Sequence, residues 1–388
     1  MIYDFYVKTR NGMTHFLYKN VLKPMLFKVD PEQIHDHMLG FGKILGSNSV
    51  GRFLLRTQFN YQNPVLKQRL VGLEFKNPVG LAAGFDKNAE LIHTLPEIGF
   101  GFAELGSITG EPCRGNEKPR LWRLKKSESL VVNYGLKNDG AEIIAKRLAK
   151  NLPAKGLRKM VYGLSIAKTN NPDTCVPEMG VADYAKAYKL LRDYADYITV
   201  NISCPNAFGG QPFTDKVSLE MLLNELDKLS IPGVPVFIKL SPDLNMTQID
   251  EVLEVSEKHK IDGFICTNLT KNRKNLKIKD TFVPKKGGIS GKVVAHLSDD
   301  LIAHVYRATK GKKMIVGVGG VFNAQDAYHK IRLGANLIQI ITGMIFEGPT
   351  VMSEINQGLV RLLKRDGFTS IGQAVGVDAQ LHSKKMAK

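Results

Sequence analysis

From about Leu73 onward the chain alternates short apolar runs, rich in Val, Ile and Gly, with longer stretches whose apolar residues recur at helical spacing. A strand covered by helices on both faces is apolar throughout, whereas its crossover helix is apolar along one stripe, so this alternation predicts parallel βαβ units. Eight such runs occur, at 77–84, 100–107, 162–168, 197–203, 235–241, 263–268, 314–320 and 337–343. Eight predicts a closed (β/α)8 TIM barrel. The count alone leaves an open doubly wound sheet as the alternative, although no Gly-rich turn has the Gly-x-Gly-x-x-Gly context of a dinucleotide site.

Polar residues fall on these runs in one phase. Lys87, Ser107, Lys168, Cys204 with Asn206, Lys239, Asn268, and Gly319 with Gly320 all lie at or just past a C-terminal strand end. In a barrel those ends meet at one mouth, where active sites are built.

The first 66 residues form a separate helical segment, the barrel takes 67–375, and 376–388 is a basic tail. Asp30, Pro31 and Gln33 read as an N-cap, an N1 proline and a capping-box partner, followed by Ile34, Met38, Phe41 and Leu45 at helical spacing. Gly46, Ser47 and Asn48 break that helix, and a second short one carries Val50, Phe53 and Leu54. Such a hairpin either packs its apolar face on the barrel or, with Lys19, Lys23, Lys28, Lys43, Arg52 and Arg56 beside it, rests on an anionic bilayer. The tail around Lys384, Lys385 and Lys388 reads as disordered.

Composition narrows the partners. With 54 Lys+Arg against 37 Asp+Glu, the formal charge of +17 favours anions, but no zinc-finger spacing or aromatic-basic motif points to nucleic acid. Cys113, Cys175, Cys204 and Cys266 are widely spaced, without a Cys-x-x-Cys pair or a metal-ligand cluster, which fits a reducing compartment and no metal. No cleavable leader and no run of about 18 apolar residues is present, so a secreted or membrane-spanning protein is not expected.

The richest segment is Asn201-Ile202-Ser203-Cys204-Pro205-Asn206, followed by Gly209 and Gly210. A thiol between two carboxamides can place a proton acceptor beside a planar ring whose C=O and N–H groups the amides read. Small residues in Ala82-Ala83-Gly84-Phe85-Asp86-Lys87 admit a flat cofactor, with a cation to meet an anion. Gly317-Val318-Gly319-Gly320 and Thr342-Gly343 occupy the barrel's phosphate position, although glycines there also serve close packing. Lys239 can stabilise negative charge on a reduced cofactor, or act as the Schiff-base lysine of an aldolase barrel.

The Asn-x-Ser-Cys-Pro-Asn segment resembles the active-site loop of the dihydroorotate dehydrogenases, and the chain from its N-terminal helices through Phe346 is similar to their membrane-associated, quinone-reducing class. The resemblance implies that Cys204 takes the C5 proton of dihydroorotate while C6 passes hydride to FMN, giving orotate. It implies substrate contacts from Lys87, Asn201, Asn206 and Asn268. It places Ala83, Gly84, Ser107, Ser165, Lys239 and Thr267 against the flavin, Gly291, Gly319, Gly320, Thr342 and Gly343 near its phosphate, and His35 and Arg123 along a quinone tunnel. FMN is implied rather than FAD, because no second nucleotide-binding unit is visible. A quinone partner, an anionic membrane surface and a peripheral position on the cytoplasmic face of the cell membrane follow from the same class.

The sequence departs from that class in places. It carries cysteine where the class normally has serine. The Asn-x-x-Gly-Phe turn appears as Val132-Asn133-Tyr134-Gly135-Leu136, so Asn133 is expected to stand in as the substrate-binding asparagine. Leu269, Ser165 and Ile341 replace a threonine, an asparagine and a tyrosine. Rival readings are a flavin enzyme for another cyclic amide or enone, the aldolase, and a noncatalytic membrane-surface protein.

Overall fold

The computed structural model describes residues 2–386, with side chains placed through His382. The chain opens with α1 (Ile2–Leu17), a π turn, α2 (Lys23–Leu26), α3 (Pro31–Ser47) and α4 (Ser49–Phe59). There follow β1 (Gln68–Leu70), β2 (Leu73–Phe75), β3 (Val79–Leu81), β4 (Phe102–Ile108), β5 (Leu121–Leu124), β6 (Ser129–Val132), α5 (Ala141–Asn151), β7 (Val161–Ile166) and α6 (Pro177–Leu191). Next come β8 (Tyr197–Asn201), α7 (Lys216–Leu229), β9 (Val236–Lys239), α8 (Met246–Glu257), β10 (Gly263–Cys266), β11 (Gly288–Gly291) and α9 (Ala295–Ala308). The chain ends with β12 (Met314–Val318), α10 (Ala324–Leu333), β13 (Leu337–Ile340), α11 (Thr342–Glu347), α12 (Val351–Arg365), α13 (Ile371–Ala374) and α14 (Ala379–Met386).

The eight apolar runs are the eight strands of a closed parallel barrel, β3-β4-β7-β8-β9-β10-β12-β13, with β13 pairing back on β3. The open-sheet alternative is therefore excluded. The β1–β2 hairpin closes the floor, where Phe75, Leu70 and Leu73 pack with Phe102, Tyr197, Phe237 and Leu337. At the other end β5, β6 and β11 form a small antiparallel sheet.

Two expectations are corrected. The first βα unit has no α-helix: Pro96 and Gly99 interrupt it, leaving turns and a 3-10 helix at Leu95–Ile98 on which α4 packs, with Arg56 Nε 2.6 Å from Glu97 Oε2. Asp30 caps α3 by accepting from the N–H groups of Glu32 and Gln33 at 2.9 and 3.0 Å, so Gln33 contributes its backbone rather than a capping-box side chain. Beyond the barrel the segment after Val375 packs back onto it, where Arg332 binds Asp378 and His382 lies 2.8 Å from Asp300. The side chains of Lys384 and Lys385, and all of Lys388, lie outside the described residues.

The N-terminal helices turn out inverted. Among the described residues α1 buries Val7, Arg10 and Asn11 while Ile2, Phe5, Tyr6, Met13 and Phe16 face outward. Arg10 donates to Thr57 O at 2.7 Å and to Ser353 Oγ of α12 at 3.0 Å, and Asn11 donates to the same hydroxyl. Met38, Phe41, Val50, Phe53 and Leu54 are likewise exposed, so the apolar face of the hairpin is not its packing face.

Candidate active site

The polar strand ends meet at the mouth as expected. Asn201, last residue of β8, lies opposite Lys239, last residue of β9. Asn201 Nδ2 donates to Ser107 Oγ at 2.8 Å, and Ser107 shares a 2.8 Å hydroxyl bond with Ser165. Its Oδ1 accepts from Ser203 Oγ at 2.9 Å and, more weakly, from Asn268 Nδ2 at 3.4 Å. Asn268 also donates to Ser203 O at 3.0 Å. One buried polar chain thus joins β4, β7, β8 and the end of β10, fixing which way each carboxamide points.

Cys204 follows on the 202–211 loop and lines a small cavity with Leu136, Lys168, Tyr184 and Gln211. Burial pushes its thiol up, while the N–H groups of Asn206 and Ala207 and the ammonium groups of Lys168 and Lys271 pull it back toward the thiolate. Asn206 donates to Val132 O at 2.8 Å, yet its Oδ1 is buried with no partner. A buried acceptor left in that state costs about 1–3 kcal/mol, which a ligand N–H would recover.

Two residues that the strand-end phase passed over complete this wall. Asn116 donates to Asn133 Oδ1 at 3.2 Å and to Asn206 O at 3.1 Å, and Asn170 donates to Asn116 Oδ1 at 3.1 Å. Asn116 therefore links Asn133 to the Asn206 backbone. Asn170 sits two residues past Lys168 and shares its phase, whereas Asn116 lies in an irregular loop with no periodic signal.

Opposite, Lys87 Nζ lies 4.1 Å from the centre of the Tyr134 ring, and burial, then repulsion from Lys137, brings its ammonium down to about 8. His35 reaches over from α3, its Nε2 donating to Phe85 O at 2.9 Å, and burial and Lys87 hold its imidazole down to about 4. His35, Leu39, Lys43, Lys87, Tyr134 and Lys137 line an open cleft of about 250 Å³. Arg123 is not part of it: its guanidinium donates to Val29 O at 2.7 Å and stands 4.6 Å from the Phe27 ring centre.

The floor of the mouth suits a flat ring. Gly84 is exposed with φ +112°, and a Cβ there would meet only Ile341 Cδ1 at 3.9 Å, while Ala83 beside it is half-buried. Lys239 Nζ stands 3.8 Å from Glu104 Oε1, whose other oxygen accepts from Thr199 and Gln339. Thr267 donates to Leu240 O at 3.0 Å. At the phosphate position Ser290 and Thr342 hydroxyls meet at 2.9 Å beside Gly291. Gly319 and Gly320 have φ of +120° and +74°. A Cβ on Gly320 would stand 2.4 Å from Ala295 Cβ, and one on Gly343 2.1 Å from Val321 O, so these glycines also serve packing.

A sequence model of the dihydroorotate dehydrogenase family matches residues 65–363. The dihydroorotate dehydrogenase (quinone) of Roseiflexus castenholzii is 38% identical over 364 residues, covering 93% of this chain and 97% of the relative. Its namesake from Natronomonas pharaonis is 40% identical over 361 residues, covering 92% and 98%. The ligand-free DHODH structure from Eimeria tenella superposes with a TM-score of 0.80 at 29% identity, over 90% of this chain and 99% of that one. These matches run from before β1 into α12 and take in the barrel mouth with its asparagines, lysines and Cys204, and this chain belongs to the dihydroorotate dehydrogenase family.

Proposed function

We propose that this chain oxidises (S)-dihydroorotate to orotate in pyrimidine biosynthesis, uses FMN, and passes the electrons to a quinone. Family membership makes it a flavoprotein and removes the aldolase reading. FMN rather than FAD is supported by a single phosphate position, where Gly319, Gly320, Thr342 and Gly343 gather, and by the absence of a second nucleotide-binding unit from the sequence. One observation carries the substrate reading: Lys87, Asn201, Cys204 and Asn268 follow the C-terminal ends of barrel strands, Asn201 and Asn268 are hydrogen-bonded to each other, and Asn116 ties Asn133 to the Cys204 loop at Asn206 O.

The Lys87 ammonium would bind the substrate carboxylate, and Asn133, Asn201, Asn206 and Asn268 would read the ring edges. Cys204 thiolate would take the C5 proton: the C5–H bond breaks, S–H forms, and the freed pair makes the C5=C6 bond as hydride leaves C6. When bound, the flavin supplies hydride acceptance at that face and electron delivery to the quinone. Bleaching of the flavin absorbance by anaerobic dihydroorotate tests the reading, and chromatography of the released flavin tests FMN. The Cys204→Ala variant should reduce its flavin about 10²–10⁴-fold more slowly, the usual scale for a lost general base. Full-speed bleaching in that variant would remove the base assignment, and a protein that dihydroorotate does not bleach would remove the substrate.

The exposed apolar faces of α1, α3 and α4 support a peripheral membrane position, with quinone entering toward the His35–Lys87 cleft. No helix of the described residues is long and apolar enough to cross a membrane. The four cysteines are free, which fits the reducing cytoplasmic face.

A further inference from the structure

Lys168 ends the third barrel strand's run and enters no step of the chemistry above. Its side chain is 3% exposed, and its Nζ donates to Phe208 O at 2.8 Å and Thr174 Oγ1 at 3.3 Å. Among the described residues no carboxylate lies within 4.0 Å of that nitrogen. A buried ammonium is costly without a counter-charge, and a structure retains one where something nearby becomes negative. The small cavity that Lys168 lines has one group able to do so in the reaction, Cys204. Phe208, whose carbonyl Lys168 grips, lies on the loop that carries Cys204.

We propose that Lys168 is a positioning residue for the reaction: its ammonium clamps the 202–211 loop and serves as counter-charge to the Cys204 thiolate. The inference rests on the reading of Cys204 as the base. Lys168 keeps its proton throughout. The C5 proton ends on Cys204 Sγ, and the thiol returns it to water between turnovers.

Burial drives the two groups toward neutrality, the thiol upward and the ammonium downward; Cys175 and then Cys204 draw the ammonium back, and the Asn206 N–H and then Lys168 draw the thiol back. The remaining charged or titratable groups facing the pair are Lys271, on the Cys204 side, and Cys175, Tyr184 and Asp183. Asp183 is engaged by the N–H groups of Thr169 and Gly110, at 2.7 and 3.3 Å, and by the Thr169 hydroxyl, so it is not Lys168's partner.

Three variants separate charge from clamp. Lys168→Gln keeps a donor for Phe208 O without charge, Lys168→Arg keeps the charge, and Lys168→Met loses both. Two readouts are followed against pH in the holoenzyme: the rate of anaerobic flavin reduction by dihydroorotate, and iodoacetamide alkylation of the Cys204 peptide, resolved by mass from that of Cys175. An opposite charge within about 4–6 Å moves an acid by about one to three pH units. Both Lys168→Gln profiles should therefore shift together to higher pH by about that much, roughly a tenfold loss at pH 7, and Lys168→Arg should restore them. Superimposable Lys168→Gln and parental profiles, or a loss that is uniform in pH, would overturn the proposal. If Lys168→Met does not fold, Lys168→Gln and Lys168→Arg still decide. The base reading fails separately: Cys204→Ala then bleaches at full speed whatever Lys168 does.

Discussion

Lys87 faces the mouth with its ammonium brought down to about 8, chiefly by burial. A lysine lowered in this way is charged below that pH and neutral above it, so the attraction for a carboxylate is present at neutral pH and is lost as pH rises through 8. Orotate affinity, followed through the perturbed flavin spectrum, should be flat up to about pH 7.5. It should then bend through pH 8 and fall roughly tenfold per further unit, since each unit above 8 leaves a tenth as much of the free enzyme protonated at Lys87. Lys87→Met should bind weakly with no such slope, and a parental curve flat to pH 9.5 would remove Lys87 as the carboxylate's partner. Residues of this kind were legible in the sequence because they sit in phase at strand ends: Lys87, Asn201, Cys204, Lys239 and Asn268 all reach the mouth. Asn116 was not, because an irregular loop carries no period, and its role depends on where Asn133 and Asn206 stand in space. Arg123 was placed on the quinone path by resemblance, and its guanidinium stands on the Phe27–Val29 segment.

Among the elements, α3 decides whether His35 stands over the mouth. It is fastened by Glu32, buried in its first turn, which Arg120 engages through Nε at 3.1 Å and Nη2 at 2.7 Å. Arg120 in turn donates to Asn116 O and Arg114 O, so one carboxylate ties the helix to the loop that positions the asparagine wall. Removing one member of a buried pair leaves the other charged and unmatched, which typically costs about 3–5 kcal/mol. Glu32→Ala should lose about that much in urea unfolding and should raise the KM for dihydroorotate as Asn116 loosens. An unchanged unfolding midpoint would show that α3 is held elsewhere. The barrel strands were readable because burial on both faces makes them apolar throughout. The helix α1 was not, since Arg10 and Asn11 share its buried side with Val7 and bond to Ser353 and to carbonyls of the α4 end, an inversion of the usual rule that the polar side faces water. The missing first outer helix escaped for a related reason: α4 covers the place it would fill.

At the scale of the whole molecule, charge and apolar exposure would make different contributions to the proposed membrane binding. Of the cations that border the N-terminal helices, Lys19 pairs with Glu347 at 2.8 Å, Lys43 with Glu90 at 2.7 Å and Arg56 with Glu97 at 2.6 Å. Their charge is thus partly spent within the protein, and the +17 excess is spread over other surfaces, including the exposed Lys271, Lys274, Lys277, Lys279, Lys285 and Lys286. Apolar insertion should therefore dominate, with charge steering the approach. Deleting residues 1–65 is a poor test, because it would strip Val7, Tyr61 and the Arg10–Ser353 bonds from the core and uncover α12. Replacing Phe5, Phe16, Phe41 and Phe53 by serine touches only exposed rings, at 55–73% exposure, and should leave dihydroorotate reduction of the flavin intact. That variant should no longer sediment with anionic vesicles and should lose turnover with a long-chain quinone in the bilayer, while still reducing a short, water-soluble one. Salt, by contrast, should weaken parental binding without abolishing it, since screening reaches the charges and leaves the buried rings in place. Binding that survives the four substitutions, or that high salt removes entirely, would place the attachment on the basic surface instead of on the helices.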